Sequence, residues 1–221
     1  MIGVFDSGTG GILALRELRR LMPREATCLY IDSANAPYGT KDEGELLRLV
    51  KLDIERLRCA GADKILMACC TASTVYDLLS DEEKSIATPI IAPAARRAVE
   101  ITKRGKIGVI ATERTVSSHA FKNAILKERT DVCVTELAAQ ELVSLVEGGA
   151  FDANITESER ELLQNTLAPL CYADIDTIVL GCTHFPALSG EISKILNNVK
   201  IVSSTYEGAL EISKRVARDR L

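Results

Sequence analysis

The sequence predicts an α/β protein in which mainly parallel sheets are covered by helices on both faces. Short apolar runs rich in Ile, Val, Leu and Cys alternate with longer amphipathic stretches along all 221 residues, and this alternation is typical of βαβ units. The composition, 47% hydrophobic and 26% charged, is that of an ordinary globular protein and excludes disorder. A chain of this length folds without disulfides, as one large domain or two small ones.

The first half supplies four candidate strands and two clear helices. The predicted strands are residues 2–5, 27–31, 64–69 and 89–92. Helical periodicity is evident in residues 13–22 and again in residues 45–62, where the second helix closes on Gly61. Each predicted helix follows a strand, as a parallel sheet requires.

The second half repeats the alternation. Its predicted strands are residues 106–111, 132–137, 177–182 and 200–203. Residues 3–7 are similar to residues 108–112, at an offset of 105, and residues 66–71 are similar to residues 179–184, at an offset of 113. We therefore expect two related halves that meet between Pro93 and Lys106. The alternative is a chance match between short apolar strings.

Charge and cysteine usage exclude several classes of protein. The 27 Lys and Arg against 31 Asp and Glu give a net charge of -4 and form no basic run, so nucleic acid is not an expected partner. The 7 cysteines are odd in number and lack C-x-x-C spacing, so we expect reduced thiols and no metal site. The amino terminus is apolar for only a few residues, which predicts neither a signal peptide nor a membrane anchor, and therefore a cytoplasmic protein.

Two cysteines occupy corresponding places in the two halves. Cys69 and Cys182 each end an apolar strand and precede hydroxyl residues and a helical stretch. The carboxyl ends of parallel strands host ligands, and a helix amino terminus lowers the pKa of a nearby thiol, so activated sulfur is expected at both positions. The alternative is inert burial, which is common for cysteine.

If the halves face each other, the two sulfur atoms flank one cleft. Two thiols on opposite sides of a carbon suit inversion of a stereocentre, because one removes a proton and the other supplies one. Two other chemistries stay open at this point. One is a disulfide, disfavoured by the compartment, and the other is a thiol hydrolase with one nucleophile and His184 as its base.

Two further segments are candidate binding elements. Residues 5–11, FDSGTGG, follow a strand and open a helix, so their amides could bind an anion. The order of glycines fits neither a dinucleotide site nor a P-loop, which favours a carboxylate ligand. Asp6 could instead cap the helix. Pro37, Tyr38 and Gly39 predict a rigid turn.

The chain has only 2 histidines. His184 lies two residues after Cys182, where it could tune the thiol or relay protons. His119 belongs to an amphipathic stretch and is interpreted as structural or exposed. Glu147 precedes two glycines and could simply end a helix.

These residues together resemble the aspartate/glutamate racemase superfamily, and within it the cofactor-independent glutamate racemases. The resemblance is carried by residues 3–11, 32–39, 68–73, 108–116 and 181–186. It implies two pseudosymmetric α/β domains, residues 1–93 plus 207–221 and residues 94–206, with the active site in the cleft between them. It also implies that no pyridoxal phosphate, other cofactor or metal takes part.

The resemblance also implies roles for individual residues. Cys69 and Cys182 correspond to the two catalytic acid/bases, assisted by Asp6, His184 and Glu147. The implied substrate-binding positions are Asp6, Ser7, Pro37, Tyr38, Gly39, Cys70, Thr71, Thr115, Thr183 and His184. Hydroxyls and backbone amides at these positions would hold the carboxylate and ammonium groups of an amino acid.

Three stretches depart from the family's usual sequence. Cys70 stands where members usually have Asn, which removes an amide donor and acceptor. Residues 136–142 lack the usual Cys-Pro, and residues 202–204 replace a common Val-Asp. Racemisation is therefore implied more firmly than the choice of glutamate.

The implied function is the interconversion of L- and D-glutamate by two thiols, which supplies D-glutamate for peptidoglycan and hence for cell-wall biogenesis and cell shape. The implied partner is the amino acid alone, with neither nucleic acid nor membrane, and the family admits a homodimer. Two alternatives remain, a racemase for aspartate or another amino acid, and a non-catalytic amino-acid-binding relative.

Overall fold

The computed structural model describes residues 1–150, 154–197 and 199–219 and contains two parallel four-stranded sheets. The strands are β1 (Ile2–Asp6), β2 (Thr27–Ile31), β3 (Lys64–Met67), β4 (Ala87–Pro89), β5 (Lys106–Ala111), β6 (Cys133–Ala138), β7 (Thr177–Gly181) and β8 (Lys200–Ser203). The sheet orders are β2-β1-β3-β4 and β6-β5-β7-β8, so the second repeats the first strand for strand. The predicted fold class of two pseudosymmetric α/β units is confirmed.

Helices follow the strands in both halves. They are α1 (Gly11–Leu21), α2 (Glu43–Cys59), α3 (Cys70–Ser73), α4 (Asp81–Ile86), α5 (Ile91–Ile101), α6 (Glu113–Ser117), α7 (Ala120–Glu128), α8 (Gln140–Glu147), α9 (Glu157–Tyr172), α10 (Ser189–Ile195) and α11 (Ser204–Arg218). Short 3₁₀ turns occupy Ser33–Asn35, Tyr38–Thr40, Tyr76–Leu78 and Phe185–Leu188. The predicted helices at residues 13–22 and 45–62 correspond to α1 and α2.

Helix α2 shows how the sequence fixes an element at both ends. The Asp42 side chain accepts a hydrogen bond from the Glu45 amide at 2.8 Å and so satisfies one free donor of the first turn. At the other end Gly61 adopts φ +91°, and the Ala62 amide donates to the Leu57 carbonyl at 2.9 Å. A left-handed residue at this point is the usual way to end a helix and favours glycine.

One predicted strand is placed wrongly. Residues 89–92 were expected to form a strand, but β4 covers Ala87–Pro89 and α5 begins at Ile91. A short apolar run does not distinguish a buried strand from the start of a buried helix. Pro93 is compatible with the helix because it lies in the first turn, where its missing amide hydrogen has no partner to lose.

The two sheets share a central apolar core. Val4 of the first sheet and Val109 and Val179 of the second belong to one buried cluster, together with Ala94 of α5 and Ile212 of α11. Helix α5 packs against β7 and β8, whereas α11 packs against β3 and β4 as well as the second sheet. The chain therefore crosses between the halves along these two helices.

The division into residues 1–93 plus 207–221 and residues 94–206 stays a prediction, and residues 220–221 lie outside the described residues. In the part of the chain that the structure describes, no helix is both long and apolar enough to span a bilayer.

Candidate active site

A cavity of about 60 Å³ lies where the carboxyl ends of the strands of both sheets face each other. Segments after β1, β3, β5 and β7 line it, together with the turn at residues 36–39 and helix α8. It brings together every predicted site residue except Thr115. The lining residues are Asp6, Ser7, Gly8, Ala36, Pro37, Tyr38, Gly39, Cys69, Cys70, Thr71, Thr112, Gln140, Val143, Glu147, Cys182, Thr183 and His184.

Cys69 enters the cavity from the first half. It lies at the amino-terminal cap of α3, where the Ala72 amide donates to its Sγ at 3.4 Å, and its Sγ is 3.5 Å from the Ser7 Oγ. Burial raises the pKa of Cys69 to about 11, and the nearby Asp6 carboxylate adds to the rise, whereas hydrogen bonds from Ser7 and the Ala72 amide oppose it.

The expected lowering of this thiol's pKa is therefore wrong. Helix α3 has only 4 residues, so few aligned peptide dipoles act on the sulfur. Loss of hydration outweighs them because the Cys69 side chain is buried.

Cys182 enters the cavity from the second half, directly after β7. Its Sγ is 3.5 Å from the His184 Nδ1, and the His184 Nε2 is 3.3 Å from the Glu147 Oε1. Burial raises the pKa of Cys182 and the His184 backbone amide opposes that rise, whereas the charge of Asp6, and of Cys69 when it is a thiolate, adds to it. The predicted lowering of the pKa is wrong for Cys182 too, because loss of hydration again outweighs the hydrogen bonds to the sulfur. Because Cys69 affects the pKa of Cys182, the two sulfur atoms share one electrostatic environment.

His184 links the buried thiol to solvent. The side chain of His184 is 7% exposed, whereas that of Glu147 is 50% exposed. Glu147 is the last residue of α8, so it ends a helix and also contacts the imidazole. The three side chains form a continuous path for a proton from Cys182 to the surface. His119 lies elsewhere, on the surface, with its Nδ1 2.6 Å from the Glu136 Oε2.

Asp6 ends β1 and lies between the halves. Its Oδ1 accepts a hydrogen bond from the Gly8 amide at 3.0 Å. Burial raises the pKa of Asp6, and the Gly8 amide and His184 oppose that rise. Asp6 does not cap α1, which begins at Gly11 without a side-chain cap. Because Asp6 lies between the halves, its charge raises the pKa of both Cys69 and Cys182.

The hydroxyls of three threonines meet at one side of the cavity. The Thr71 Oγ1 is 3.1 Å from the Thr112 Oγ1 and 3.3 Å from the Thr115 Oγ1, and the last two are 2.9 Å apart. Thr71 and Thr112 line the cavity, whereas Thr115 lies behind them. Hydroxyls arranged in this way can reorient their hydrogens towards an anionic group.

Cys70 also lines the cavity, and its thiol already has a partner. Its Sγ is 3.3 Å from the Ser204 Oγ, and the Ser204 hydroxyl donates to the Leu180 carbonyl at 2.7 Å. Because that bond uses the only hydrogen of Ser204, the hydrogen between the two side chains is that of the thiol. Burial raises the pKa of Cys70 well above its usual value. Cys70 is therefore a neutral thiol directed at α11.

Sequence analysis did not assign several residues of the cavity wall. Thr112 follows β5 and caps α6, so the argument that selected Cys69 and Cys182 would also have selected it. Gln140 and Val143 lie on α8 and carry no sequence signal, because only the packing of α8 against the cleft brings them to the cavity. Within the described residues, no group of three or more His, Cys, Asp or Glu side chains is arranged to hold a metal.

Comparison with known proteins agrees with this geometry. The sequence profile of the Asp/Glu/Hydantoin racemase family matches residues 14–211. A glutamate racemase from Exiguobacterium sibiricum is 37% identical over 216 residues, which cover 96% of this chain and 78% of the relative. The crystal structure of a Bacillus anthracis glutamate racemase isoform superposes with a TM-score of 0.90 at 34% identity, covering 99% of this chain and 82% of the other. A Francisella tularensis glutamate racemase in complex with D-glutamate gives 0.89 at 26% identity, with 99% and 81% covered.

Proposed function

The chain belongs to the Asp/Glu/Hydantoin racemase family, and from that membership we propose that it interconverts L- and D-glutamate with Cys69 and Cys182 as the two acid/bases. The observation that supports this proposal most directly is the convergence of two buried thiols, one from each half, on a single cavity. Relatives that are 35–40% identical to this chain carry the name glutamate racemase.

The reaction needs one thiolate and one thiol. The thiolate removes the hydrogen on the α-carbon as a proton, and the electron pair of the broken bond is delocalised into the adjacent carboxylate. The thiol on the opposite side then gives its proton to the α-carbon. Atoms and charge balance without a redox partner, and the two cysteines exchange protonation states in each turnover.

Both thiols are neutral in the closed cavity, so one of them must first lose a proton. For Cys182 the acceptor is His184, which passes the proton towards Glu147 and solvent. For Cys69 the nearest ionisable neighbour that influences it is Asp6. The ammonium group of a bound amino acid adds a positive charge, which favours the thiolate form of either cysteine.

The substrate's carboxylates are held by neutral donors, since the cavity wall contains no Lys or Arg among the described residues. The hydroxyls of Ser7, Thr71, Thr112 and Thr183 and the backbone of the Pro37–Gly39 segment supply them. The cavity of about 60 Å³ is smaller than the roughly 150 Å³ that holds benzene in a protein core. Glutamate has more heavy atoms than benzene, so the cleft widens to admit it.

We extend the proposal to the use of the product. D-glutamate would supply peptidoglycan synthesis, and hence cell-wall biogenesis and cell shape, in the cytoplasm. This part rests on the family alone, and so does assembly as a homodimer.

The test follows loss of optical rotation from pure L-glutamate and from pure D-glutamate, in ordinary water and in D₂O. The wild-type protein should racemise both and incorporate solvent deuterium at the α-carbon. Cys69→Ser and Cys182→Ser should each lose at least about 100-fold in turnover, because a hydroxyl is a far poorer base near neutral pH. The exposed Cys59→Ser and Cys133→Ser variants are matched controls and should keep wild-type rates. Full turnover in either active-site variant would contradict the mechanism.

A second candidate is a racemase for aspartate or another amino acid. Two observations favour it, the thiol of Cys70 in the cavity wall and the small volume of that cavity. A panel of enantiopure amino acids decides between the two, by the ratio of kcat/KM values. Tight binding of glutamate with no loss of rotation would instead indicate a non-catalytic binding protein.

A further inference from the structure

A tyrosine hydroxyl lies between two buried carboxyl groups beneath one wall of the cavity. The Tyr38 hydroxyl is 2.7 Å from the Asp32 Oδ2 and 2.5 Å from the Asp53 Oδ2. All three residues are at most 1% exposed. Tyr38 belongs to the Pro37–Gly39 segment that lines the cavity, so the contacts of its side chain fix the position of that wall.

If both aspartates are ionised, the site has too few hydrogens to form both hydrogen bonds of the Tyr38 oxygen. A phenol carries one hydrogen, and ionised carboxylates only accept. The Tyr38 hydroxyl can therefore donate to one aspartate but not to both. The second short oxygen–oxygen contact needs another proton, and the only group that can carry it is one of the two carboxyls.

The surroundings identify which carboxyl carries the proton. Asp32 accepts hydrogen bonds from the Asn35 Nδ2 on both of its oxygens, each at 2.9 Å, and from the Tyr30 hydroxyl at 3.2 Å. Among the described residues, the hydrogen-bond partners of Asp53 are Tyr38 and, at 3.4 Å, the Arg56 Nη1. Donors stabilise the charged form, so the anion is Asp32 and the neutral acid is Asp53.

The electrostatic surroundings of Asp53 agree with this assignment. Burial raises the pKa of Asp53 to about 6, and the charge of Asp32 contributes to the rise. The hydrogen bond with Tyr38 and the charge of Arg56 oppose the rise, but the Arg56 side chain is 40% exposed and also hydrogen-bonds the Tyr30 hydroxyl. The ionisable groups that face Asp53 are thus Tyr38 from the turn, Asp32 and Tyr30 from β2 and its end, and Arg56 from α2.

We infer that Asp53 is a positioning residue for substrate binding: in its neutral form it donates to Tyr38, which donates to Asp32, and this chain of hydrogen bonds holds the Pro37–Gly39 wall against the cavity. The inference rests on the proposed function for its readout with substrate. Ionisation of Asp53 removes its hydrogen and places two anions against one phenol. The wall then loses a hydrogen bond, and substrate affinity falls as the pH rises.

The first test measures KM and kcat for glutamate from about pH 5.5 to about pH 7.5. In the wild type KM should rise about fivefold over this range, which corresponds to the loss of one net hydrogen bond, in excess of any change in kcat. Asp53→Asn should keep a low KM at every pH, because its amide donates to Tyr38 as the neutral acid does. Glu55→Gln, an exposed change on the same helix, is the control and should follow the wild type.

A KM for Asp53→Asn that varies with pH in parallel with the wild type would overturn the inference. The second test needs no substrate. Carbon-13 NMR of aspartate-labelled protein should show a buried carboxyl that is protonated at about pH 5 and titrates near pH 6, and this signal should be missing from Asp53→Asn, which distinguishes it from Asp6, whose pKa burial also raises. If Asp53→Asn loses no carboxyl signal that is protonated at about pH 5, the inference is overturned whether or not the protein racemises glutamate. The titrating carboxyl together with no racemisation would overturn only the proposed function.

Discussion

Gly10 lies in close contact with Thr183 of the other half, so Gly10→Ala tests whether the fit of the two halves sets the rate. A Cβ at this position would lie 2.1 Å from the Thr183 Oγ1 and 2.6 Å from the Thr183 Cβ. Gly10 has φ -56° and ψ -26°, so alanine adds no backbone strain and the effect is steric. Rotation of the threonine hydroxyl relieves the first contact but not the second, because the Cβ is fixed to the backbone.

The size of the effect follows from these distances. An ordinary contact needs about 3.4 Å or more, so Thr183 and the start of α1 must separate by about 1 Å. Overpacking of this kind costs about 1–3 kcal/mol, and a 2 kcal/mol loss lowers Tm by roughly 4–8 °C for a chain of this size. Thr183 follows Cys182, so the same displacement moves one thiol relative to the other. A misplacement of about 1 Å at the reacting atoms costs about 100-fold in kcat/KM.

Polarimetry with L-glutamate and with D-glutamate measures kcat/KM, and differential scanning calorimetry measures Tm. The matched control is Gly44→Ala in α2, where a Cβ meets only the Asp42 Oδ1 at 3.5 Å. That change should leave turnover unaltered and raise stability by about 0.5–1 kcal/mol, because alanine favours a helix. Adding Thr183→Gly to Gly10→Ala should restore Tm. Wild-type turnover and Tm in Gly10→Ala would refute the reasoning that the halves are in tight contact at the active site.

Three further outcomes are expected. Because the pKa of Cys69 is raised to about 11, its thiolate fraction should increase about tenfold for each pH unit up to about pH 11. The rate of its alkylation by iodoacetamide, followed by mass spectrometry, should increase in the same proportion. A rate that reaches a plateau near pH 8 would contradict this. Gly208→Ala places a Cβ 2.1 Å from the Ile90 Cγ2 and should lower the free energy of unfolding in urea by about 1–3 kcal/mol, with part of it regained on adding Ile90→Ala. Cys70→Ala removes the thiol that donates to Ser204 and should cost about 1–2 kcal/mol by the same measurement; no change would argue against that hydrogen bond.

Sequence patterns predict the fold well because each strand is recognisable from its own run of apolar residues. The runs at residues 27–31, 106–111 and 200–203 coincide with β2, β5 and β8 residue for residue. Such strands are apolar on both faces, so a sheet covered on both sides follows from them. Residues 89–92 fail because Ile90 and Ile91 fit the start of a buried helix as well as they fit a strand.

The candidate site is predictable only in part. Residues that follow strands, such as Asp6, Cys69 and Cys182, are found because the strand ends define one edge of each sheet. Asp53 is not found, because it lies in the middle of α2 among charged residues that face solvent, and its partners come from segments distant in sequence. Hydrogen-bond donors supplied by tertiary packing leave no periodic pattern in the chain.

The pKa values of both thiols are set by burial and not by the helical stretches that follow them. A helix amino terminus is a local feature of the sequence, whereas burial depends on how the two halves close over the sulfur atoms. In the closed cavity burial dominates, and both thiols are held neutral. A neutral thiol is neither a base nor a good nucleophile, so burial protects both sulfur atoms from alkylation and oxidation. Under the proposed mechanism, activation comes with the substrate, whose ammonium group brings positive charge to a cavity wall that has no Lys or Arg among the described residues. The thiolate would then form where the α-carbon hydrogen is already within reach.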